Sequence, residues 1–460
     1  MSDVRGMLDA KELERLIKAD ELDTVLVVFP DHQGRLVGKR VTGHFFLDHV
    51  LADGIEACNY LLAVDVDMTV LPGFEFASWD KGFGDFVCRP DLTTLRAVPW
   101  LEKTALVMCD LFDEHNGKPI AVSPRQILRD QIARAAALGY SVKCGSELEF
   151  FLFRESYEEA QAKGYADLRY HGSFIEDYHI LQTTRDEYVV GAIRRGIDAA
   201  GIPVEFSKGE AGRGQHEINL EYADVLTMAD RHAIYKNAAK EIAGQLGRSI
   251  TFMAKYDMAE CGSSCHIHSS VWSADGETPL MYEAGGTEHM SDVFRGWLGG
   301  LLAHTGELAY LFAPTVNSYK RYQLESWAPT ALAWGRDNRT CGFRVVGHEG
   351  ASYRVESRVP GADCNPYLAF AATIAAGLAG IQSKAEPGPA FDGNAYEATD
   401  VTRVPHSIVD AIGALETSAV AKDAFGEHVH AHLLNMARQE WLAFGGVVTD
   451  WERRRCFEQF

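Results

Sequence analysis

The chain has no hydrophobic segment long enough to cross a membrane. Its longest apolar run, residues 367–381, is rich in Ala and Gly and falls short of the roughly 20 residues that a bilayer requires. The segment before residue 20 is charged and has no apolar core of a secretory signal. The nine cysteines lack the paired spacing of a disulfide framework. We therefore expect a cytoplasmic protein, in which residues 367–381 form a buried core helix.

Basic residues are also scarce relative to acidic ones. The sequence contains 44 Lys and Arg against 65 Asp and Glu, which gives a formal net charge of −21. Such a surface repels nucleic acid and anionic membranes, so neither is expected as a partner. Apolar residue types make up 47% of the 460 residues, which is enough to bury a large core.

Helix and strand patterns divide the chain into two parts. Residues 11–18 predict a short helix, and residues 24–29 and 35–42 predict a hairpin closed by a turn at 31–34. Residues 104–112 predict a strand, and Ser123-Pro124 begins a helix that ends near residue 138. We predict an α+β protein with a small domain over residues 1–105 and a large domain over 106–460.

Charged residues alternate with apolar ones in four short segments that are typical of strands. Alternation at period two places the charged side chains of each strand on one face. Carboxylates that converge without a counter-ion would repel by about 4 kcal/mol per close pair at an effective dielectric near 20, so converging acidic strands favour bound cations. The segments are Glu147-Leu148-Glu149, His216-Glu217-Ile218-Asn219, His266-Ile267-His268-Ser269-Ser270 and Arg354-Val355-Glu356-Ser357-Arg358.

The candidate ligands suit hard divalent ions. Five carboxylates and one imidazole favour Mg²⁺ or Mn²⁺ over zinc, and six ligands would serve two ions. The six are Glu147, Glu149, Glu210, Glu217, His266 and Glu356.

Two other interpretations of these segments are possible. A zinc site could be built from Cys261, Cys265, His266 and His268, but a strand would place Cys265 and His266 on opposite faces. A Glu-x-Glu strand is often a solvated face. Here, however, a run of four apolar residues at 150–153 follows it directly, which indicates a buried strand.

Five arginines lie in the segment that also contains Glu356. Guanidinium groups beside paired divalent ions are typical of phosphoryl transfer from ATP, because they stabilise the charge that spreads over the transferred phosphoryl group. The sequence has no Gly-x-x-x-x-Gly-Lys-Ser/Thr loop, which excludes a P-loop enzyme. The arginines are Arg321, Arg339, Arg344, Arg354 and Arg358.

Seven short motifs follow one another along the chain. They are Gly145 to Phe150, Gly214 to Ile218, Gly262 to His268, Asn317 to Arg321, Asn338 to Arg344, Arg354 to Arg358 and Asn365 to Tyr367. In this order they resemble the motifs of the glutamine synthetase family. The resemblance implies a small N-terminal β-grasp domain, a large catalytic domain with an antiparallel half-barrel of strands, and a dodecamer of two hexameric rings whose active sites are shared between subunits.

The resemblance also implies roles for individual residues. Glu149, Glu210 and Glu217 would bind one ion, and Glu147, His266 and Glu356 the other. Gly262, Arg321 and Arg358 would bind glutamate. Arg339, Arg344 and Glu210 would take part in catalysis. The residues that would bind ATP are Tyr222, His268, Ser270, Arg339, Arg344 and Arg354.

The implied reaction forms γ-glutamyl phosphate, which an amine then converts to an amide. Ordinary members use ammonium, which a flap glutamate and an Asp-Gly-Ser-Ser segment help to bind. Here Trp327 takes the place of the glutamate, no equivalent of the second segment is found, and Lys208-Gly209 replaces a histidine pair. Tyr178 and Glu210 would remain in the amine pocket. These departures favour a γ-glutamylamide synthetase that uses a short monoamine, with ethanolamine first.

Several alternatives stay open at this point. The acceptor could instead be a polyamine, or ammonia in a rearranged pocket. A non-catalytic assembly protein on the same fold is disfavoured by the intact metal and phosphate residues. A guanidino kinase is disfavoured because Arg321 and Arg358 are retained for an α-amino acid carboxylate.

Overall fold

The computed structural model describes residues 4–323 and 326–460. Its strands are β1 (Thr24–Pro30), β2 (Leu36–Thr42), β3 (Ile55–Cys58), β4 (Asp85–Pro90), β5 (Arg96–Ala97), β6 (Thr104–Asp113), β7 (Tyr140–Phe153), β8 (Val204–Gly209), β9 (Gln215–Leu220), β10 (Ala223–Asp224), β11 (Ser249–Thr251), β12 (Cys265–Ser273), β13 (Trp334–Arg336), β14 (Phe343–Val346) and β15 (Arg354–Ser357).

The α-helices alternate with these strands through the middle of the chain and dominate its C-terminal part. They are α1 (Ala10–Lys18), α2 (Gly43–Phe45), α3 (Leu51–Asp53), α4 (Pro124–Ala137), α5 (Tyr157–Ala162), α6 (Ile180–Ala199), α7 (Val225–Gln245), α8 (Asp292–His304), α9 (Ala309–Phe312), α10 (Pro366–Ser383), α11 (Ile408–Thr417), α12 (Ala419–Gly445) and α13 (Asp450–Cys456).

The N-terminal sheet has the strand order β2-β1-β6-β4-β3, with β5 paired to β6. The predicted hairpin is present as β1 and β2, which pair in antiparallel register. Strand β6 pairs in parallel with β1 and antiparallel with β4. The predicted division between residues 105 and 106 falls within β6, and it stays a prediction.

The second sheet has the strand order β13-β14-β15-β12-β7-β9-β8, with β10 and β11 paired to β7. All its pairs are antiparallel except β13 with β14. It forms the nearly closed half-barrel that the resemblance implied, and the α+β fold class is confirmed. All four alternating segments lie on its central strands, with only Arg358 just past the end of β15.

Helix α10 fills the core behind the sheets. Its N-cap residue Asn365 accepts a hydrogen bond from the Tyr367 backbone N–H, and Pro366 occupies the first turn, which is a favourable helix start. Asn365 also donates to the carbonyls of Asp31 and His32, so the helix start is tied to the β1–β2 turn. The predicted buried helix over 367–381 is confirmed. Within the described ranges, no helix is long and apolar enough to span a bilayer.

Candidate active site

One cross-strand row brings acidic side chains together on the half-barrel. Glu149 on β7 lies directly opposite Glu217 on β9, and Glu217 lies opposite Lys208 on β8. Directly opposed residues point to the same face of a sheet. A second row runs from His266 on β12 to Glu147 on β7. The alternation along each strand therefore places the predicted ligands on one side of the sheet.

The first ligand cluster consists of Glu149, Glu210 and Glu217, whose carboxylate oxygens lie within 4.8 Å of one another. The backbone N–H of Ser264 donates to Glu149 Oε2 at 2.8 Å. Burial and the neighbouring Glu210 raise the pKa of Glu149 to about 8. Burial and the charges of Glu147 and Glu210 raise the pKa of Glu217 well above its ordinary value. A divalent cation would relieve this repulsion, so the donor set fits a hard metal ion.

The second cluster contains Glu147 and Glu356 with two imidazoles. His266 Nδ1 lies 3.1 Å from Glu147 Oε2 and 3.6 Å from Glu356 Oε1. His268 Nε2 lies 2.9 Å from Glu147 Oε1, and Glu147, His268 and Glu356 offer ligand atoms within 4.8 Å of one another. His268, which the resemblance assigned to phosphate, thus stands beside the predicted second ion.

Charged neighbours keep this second cluster ionised. Burial opposes ionisation of Glu356, but Arg358 and the imidazoles outweigh it and lower the pKa to about 2. Burial likewise opposes ionisation of Glu147, yet His268 and His266 lower its pKa below the ordinary value. Burial and Arg358 lower the pKa of His266, which favours the neutral imidazole that binds metals.

The zinc alternative is not supported by the geometry. Cys265 and His266 are neighbours on β12 and point to opposite faces, and Cys265 is buried. Among the described residues, no cluster of three or more potential metal ligands includes Cys261 or Cys265.

The arginines approach these clusters from β14, β15 and the turns beyond them. Arg344 donates to Glu356 Oε2 at 2.9 Å and to Asp337 Oδ1 at 2.9 Å. Arg358 donates to Glu356 Oε1 at 2.5 Å. Arg354 donates to His268 Nδ1 at 3.1 Å. Three of the predicted arginines are therefore linked by direct hydrogen bonds to side chains of the second cluster.

Arg321 is buried next to the backbone of Gly262. Its Nη2 donates to the carbonyl of Pro360 at 2.8 Å, while Nη1 and Nε have no hydrogen-bond partner among the described residues. A Cβ at position 262 would lie 2.4 Å from Arg321 Cγ, so only glycine permits this close approach. Two of the three predicted glutamate-binding residues, Gly262 and Arg321, are therefore in direct contact.

Two adjoining cavities contain most of the predicted site residues. A cavity of about 550 Å³ is lined by all six predicted metal ligands and by the predicted glutamate and amine residues except Arg321. A cavity of about 370 Å³ is lined by Tyr222, His268, Ser270 and Arg354 of the predicted ATP set. Both are lined by Glu147 and Asn219. Arg339 and Arg344 line the larger one.

The predicted amine residues line the open end of the larger cavity. Tyr178 is 69% exposed and Trp327 is 56% exposed. Lys208, whose only signal in the sequence is that Lys208-Gly209 replaces a histidine pair, also lines this cavity. It forms an ion pair with Glu210, and its Nζ lies 4.8 Å from the centre of the Tyr178 ring. Its position opposite Glu217 depends on strand pairing, which no local motif revealed.

A third acidic cluster lies on the other face of β9. His216 Nε2 is 2.8 Å from Asp186 Oδ2 and 3.5 Å from Glu176 Oε2, and all three side chains are buried. Asp186 Oδ1 also contacts His171 Nδ1 at 2.5 Å. His216 belonged to a predicted motif, but Asp186 and Glu176 were not anticipated, because they are distant in sequence. These contacts anchor β9, the strand that also carries Glu217.

The catalytic-domain model of glutamine synthetase matches residues 121–456. The chain belongs to the glutamine synthetase family. It is 51% identical to the γ-glutamylethanolamide synthetase GlnA4 of Streptomyces coelicolor over 98% of this chain and 96% of that protein. It is 36% identical to a glutamate–isopropylamine ligase of a Pseudomonas species over 96% of each chain. A solved GmaS/ADP complex superposes with a TM-score of 0.84 at 29% identity, covering 97% of this chain and 99% of that one.

Membership of this family makes the chain an ATP-dependent carbon–nitrogen ligase of nitrogen metabolism. Glutamine synthetase family enzymes use ATP and divalent metal ions. The non-catalytic and guanidino kinase alternatives are accordingly set aside.

Proposed function

We propose that this enzyme joins the γ-carboxylate of glutamate to a short primary amine, with ethanolamine as the first choice. The observation that carries the proposal is Trp327 at the open end of the metal-ligand cavity, where ordinary members of the family place a glutamate. The relatives named as an ethanolamide synthetase and an isopropylamine ligase support an organic amine as acceptor. Polyamine and ammonium are the alternatives that the test must separate.

Two divalent ions, either Mg²⁺ or Mn²⁺, would occupy the two clusters. Glu149, Glu210 and Glu217 would hold one, and Glu147, His266 and Glu356 the other. Bound there, the ions would neutralise phosphate charge. The fit rests on the oxygen-rich donor sets and on the raised pKa values of the first cluster.

ATP would enter through the smaller cavity, with Tyr222 against adenine and His268, Ser270 and Arg354 near the phosphates. Arg321, Arg358 and Gly262 would hold glutamate in the larger cavity. In the first step a γ-carboxylate oxygen attacks the γ-phosphorus and the bond to ADP breaks. Arg339 and Arg344 would stabilise the charge on the transferred phosphoryl group.

In the second step the amine nitrogen attacks the acyl carbon. The bond from this carbon to the phosphate oxygen breaks, and phosphate leaves with its electron pair. Glu210 is the proposed acceptor of the amine proton, because it pairs with Lys208, whose ammonium lies over the ring of Tyr178. Tryptophan cannot accept a proton, but the face of Trp327 can contact a cation or an alkyl chain for about 0.5 to 2 kcal/mol. A primary amine with a short chain gains an alkyl contact with this face that ammonium cannot make.

We also propose a cytoplasmic dodecamer of two hexameric rings, with a small domain over residues 1–105 and a catalytic domain over 106–460. The family resemblance supports these statements. Sedimentation velocity measures the assembly directly: a particle close to twelve times 50.8 kDa is expected, and a monomer or dimer would contradict the proposal.

The acceptor is tested by supplying ATP, glutamate and Mg²⁺ with one amine at a time. Ammonium, ethanolamine, isopropylamine and putrescine cover the alternatives. Phosphate release gives kcat/KM, and mass spectrometry identifies the amide. Ethanolamine is expected to exceed ammonium at least tenfold in kcat/KM. Equal or higher efficiency with ammonium would overturn the choice of acceptor.

A further inference from the structure

Lys208 carries a fixed positive charge into the cavity that contains the proposed ligands of the first ion. It lies directly opposite Glu217, in the same cross-strand row as Glu149. The side chain is only 17% exposed. Because directly opposed side chains share a face of the sheet, the ammonium group points into the cavity rather than to the outer surface.

Two contacts position the Lys208 ammonium group between the first ligand cluster and the predicted amine-binding residue Tyr178. It pairs with Glu210, and it lies over the face of Tyr178 at 4.8 Å from the ring centre. The Lys208 charge is therefore close to where the tail of an acceptor amine would extend, beyond its reacting nitrogen.

The other charged residues of this cavity are mostly basic. Beyond the proposed metal ligands, the described lining includes one carboxylate, Asp177, and three arginines, of which Arg358 donates to the Trp327 carbonyl at 3.5 Å. Asp177 is exposed, so water screens its charge. Lys208 is less exposed and is screened less, so its charge acts on a substrate tail more strongly than the charge of Asp177 does.

We propose that Lys208 restricts the acceptor to primary amines with an uncharged tail and rejects diamines and polyamines. This inference rests on the proposed function and deepens it. The reacting nitrogen must lose its proton to attack, but a second amino group keeps its charge and is repelled by the ammonium of Lys208, which is only 17% exposed and so only partly screened by water. A hydroxyl tail is uncharged and can accept a hydrogen bond from the Lys208 ammonium.

The test compares 3-amino-1-propanol with 1,3-diaminopropane, which have the same chain length and differ in the terminal group. Wild-type enzyme is expected to prefer the amino alcohol at least tenfold in kcat/KM, which corresponds to about 1.4 kcal/mol. Lys208→Met should reduce this ratio at least fivefold, whereas Lys208→Arg keeps the charge and should keep the preference. Both amines react with the same acyl phosphate, so changes in the first step cancel in the ratio.

The outcomes separate the two proposals. If the wild-type enzyme had equal kcat/KM values for the two amines, this result alone would overturn the role of Lys208, before any variant is measured. The role of Lys208 would also be overturned if Lys208→Met left the ratio of the two kcat/KM values unchanged. The same holds if Lys208→Arg reduced this ratio as much as Lys208→Met does. Higher efficiency with ammonium than with either amine would overturn the proposed function, and the role of Lys208 would fall with it.

Discussion

Glu149 and Glu217 lie directly opposite each other on neighbouring strands, inside a buried cavity. Without a metal ion, burial and Glu210 raise the pKa of Glu149 to about 8 from an ordinary value of 4.5. We therefore expect the free energy of unfolding to depend on pH in the metal-free protein, and to depend on it less in the metal-bound protein.

The metal-free protein should lose stability as the pH rises from about 4.5 toward about 8. Over this interval the unfolded chain has released the Glu149 proton while the folded protein retains it. The folded state therefore binds more protons, and the free energy of unfolding falls by up to about 1.4 kcal/mol per pH unit for each such proton. Urea unfolding in EDTA at several pH values measures the slope.

Glu149→Gln is the control for this pH effect, since it removes the titrating group and keeps the shape. Its slope between pH 5 and 8 should be smaller than that of the wild type. Mg²⁺ should raise the wild-type Tm more at pH 8 than at pH 5.5, because a proton competes with the ion at low pH. Identical slopes in the two proteins would contradict the prediction.

Trp327→Glu should shift the acceptor preference toward ammonium. A carboxylate can bind the small cation and accept its proton, whereas the aromatic face favours an alkyl chain. We expect the ratio of kcat/KM for ammonium to that for ethanolamine to rise at least tenfold. Trp327→Phe keeps an aromatic face and should leave the ratio within about threefold of the wild type. An unchanged ratio in the glutamate variant would show that this position does not select the nucleophile.

Arg344→Gln should lower kcat far more than it raises the KM for ATP. Arg344 donates to Glu356 and lines the cavity where the proposed phosphoryl transfer takes place. Loss of a positioned donor in such a site reduces kcat about 10²- to 10³-fold. Steady-state kinetics with glutamate and ethanolamine provide the measurement. Asp337, the other partner of Arg344, is 63% exposed. Asp337→Asn removes its charge and should change kcat only slightly. A pure KM effect would indicate a role in binding alone.

Gly300→Ala should destabilise the contact between α8 and α10. A Cβ at this position would lie 2.1 Å from the Ala376 carbonyl oxygen, and neither packed helix can move away without disturbing the core. Overpacking of this kind costs about 1 to 3 kcal/mol. Gly413 in α11 is the matched control, because a Cβ there meets nothing within 4 Å. Gly413→Ala should be neutral or stabilising in urea unfolding, and equal effects of the two substitutions would contradict the packing argument.

Strand periodicity predicted which residues of the candidate site share a face. The alternation of Glu147 with Glu149, and of His266 with His268, follows from the two-residue repeat of a strand. The same repeat separated Cys265 from His266 and disfavoured the zinc site. The helix signal at Ser123-Pro124 was also local, and the helix begins where this signal lies.

Pairing between distant strands could not be predicted in this way. Nothing near Lys208 in the sequence shows that it lies opposite Glu217, and nothing near His268 shows that its ring contacts Glu147. The buried contact of His216 with Asp186 joins residues 30 positions apart. These relationships depend on strand order and register across the whole half-barrel, which are non-local properties.

The chemistry of the site was thus contained in local patterns of residue type. Carboxylates and imidazoles at every second position indicated divalent ions, and the order of seven motifs indicated the family. Folding decided which of these groups meet: the order β15-β12-β7-β9-β8 gathers them and adds Lys208 to the row of Glu149 and Glu217. A side chain's face is set by its own strand, but its neighbours across the sheet are set by the packing of the entire chain.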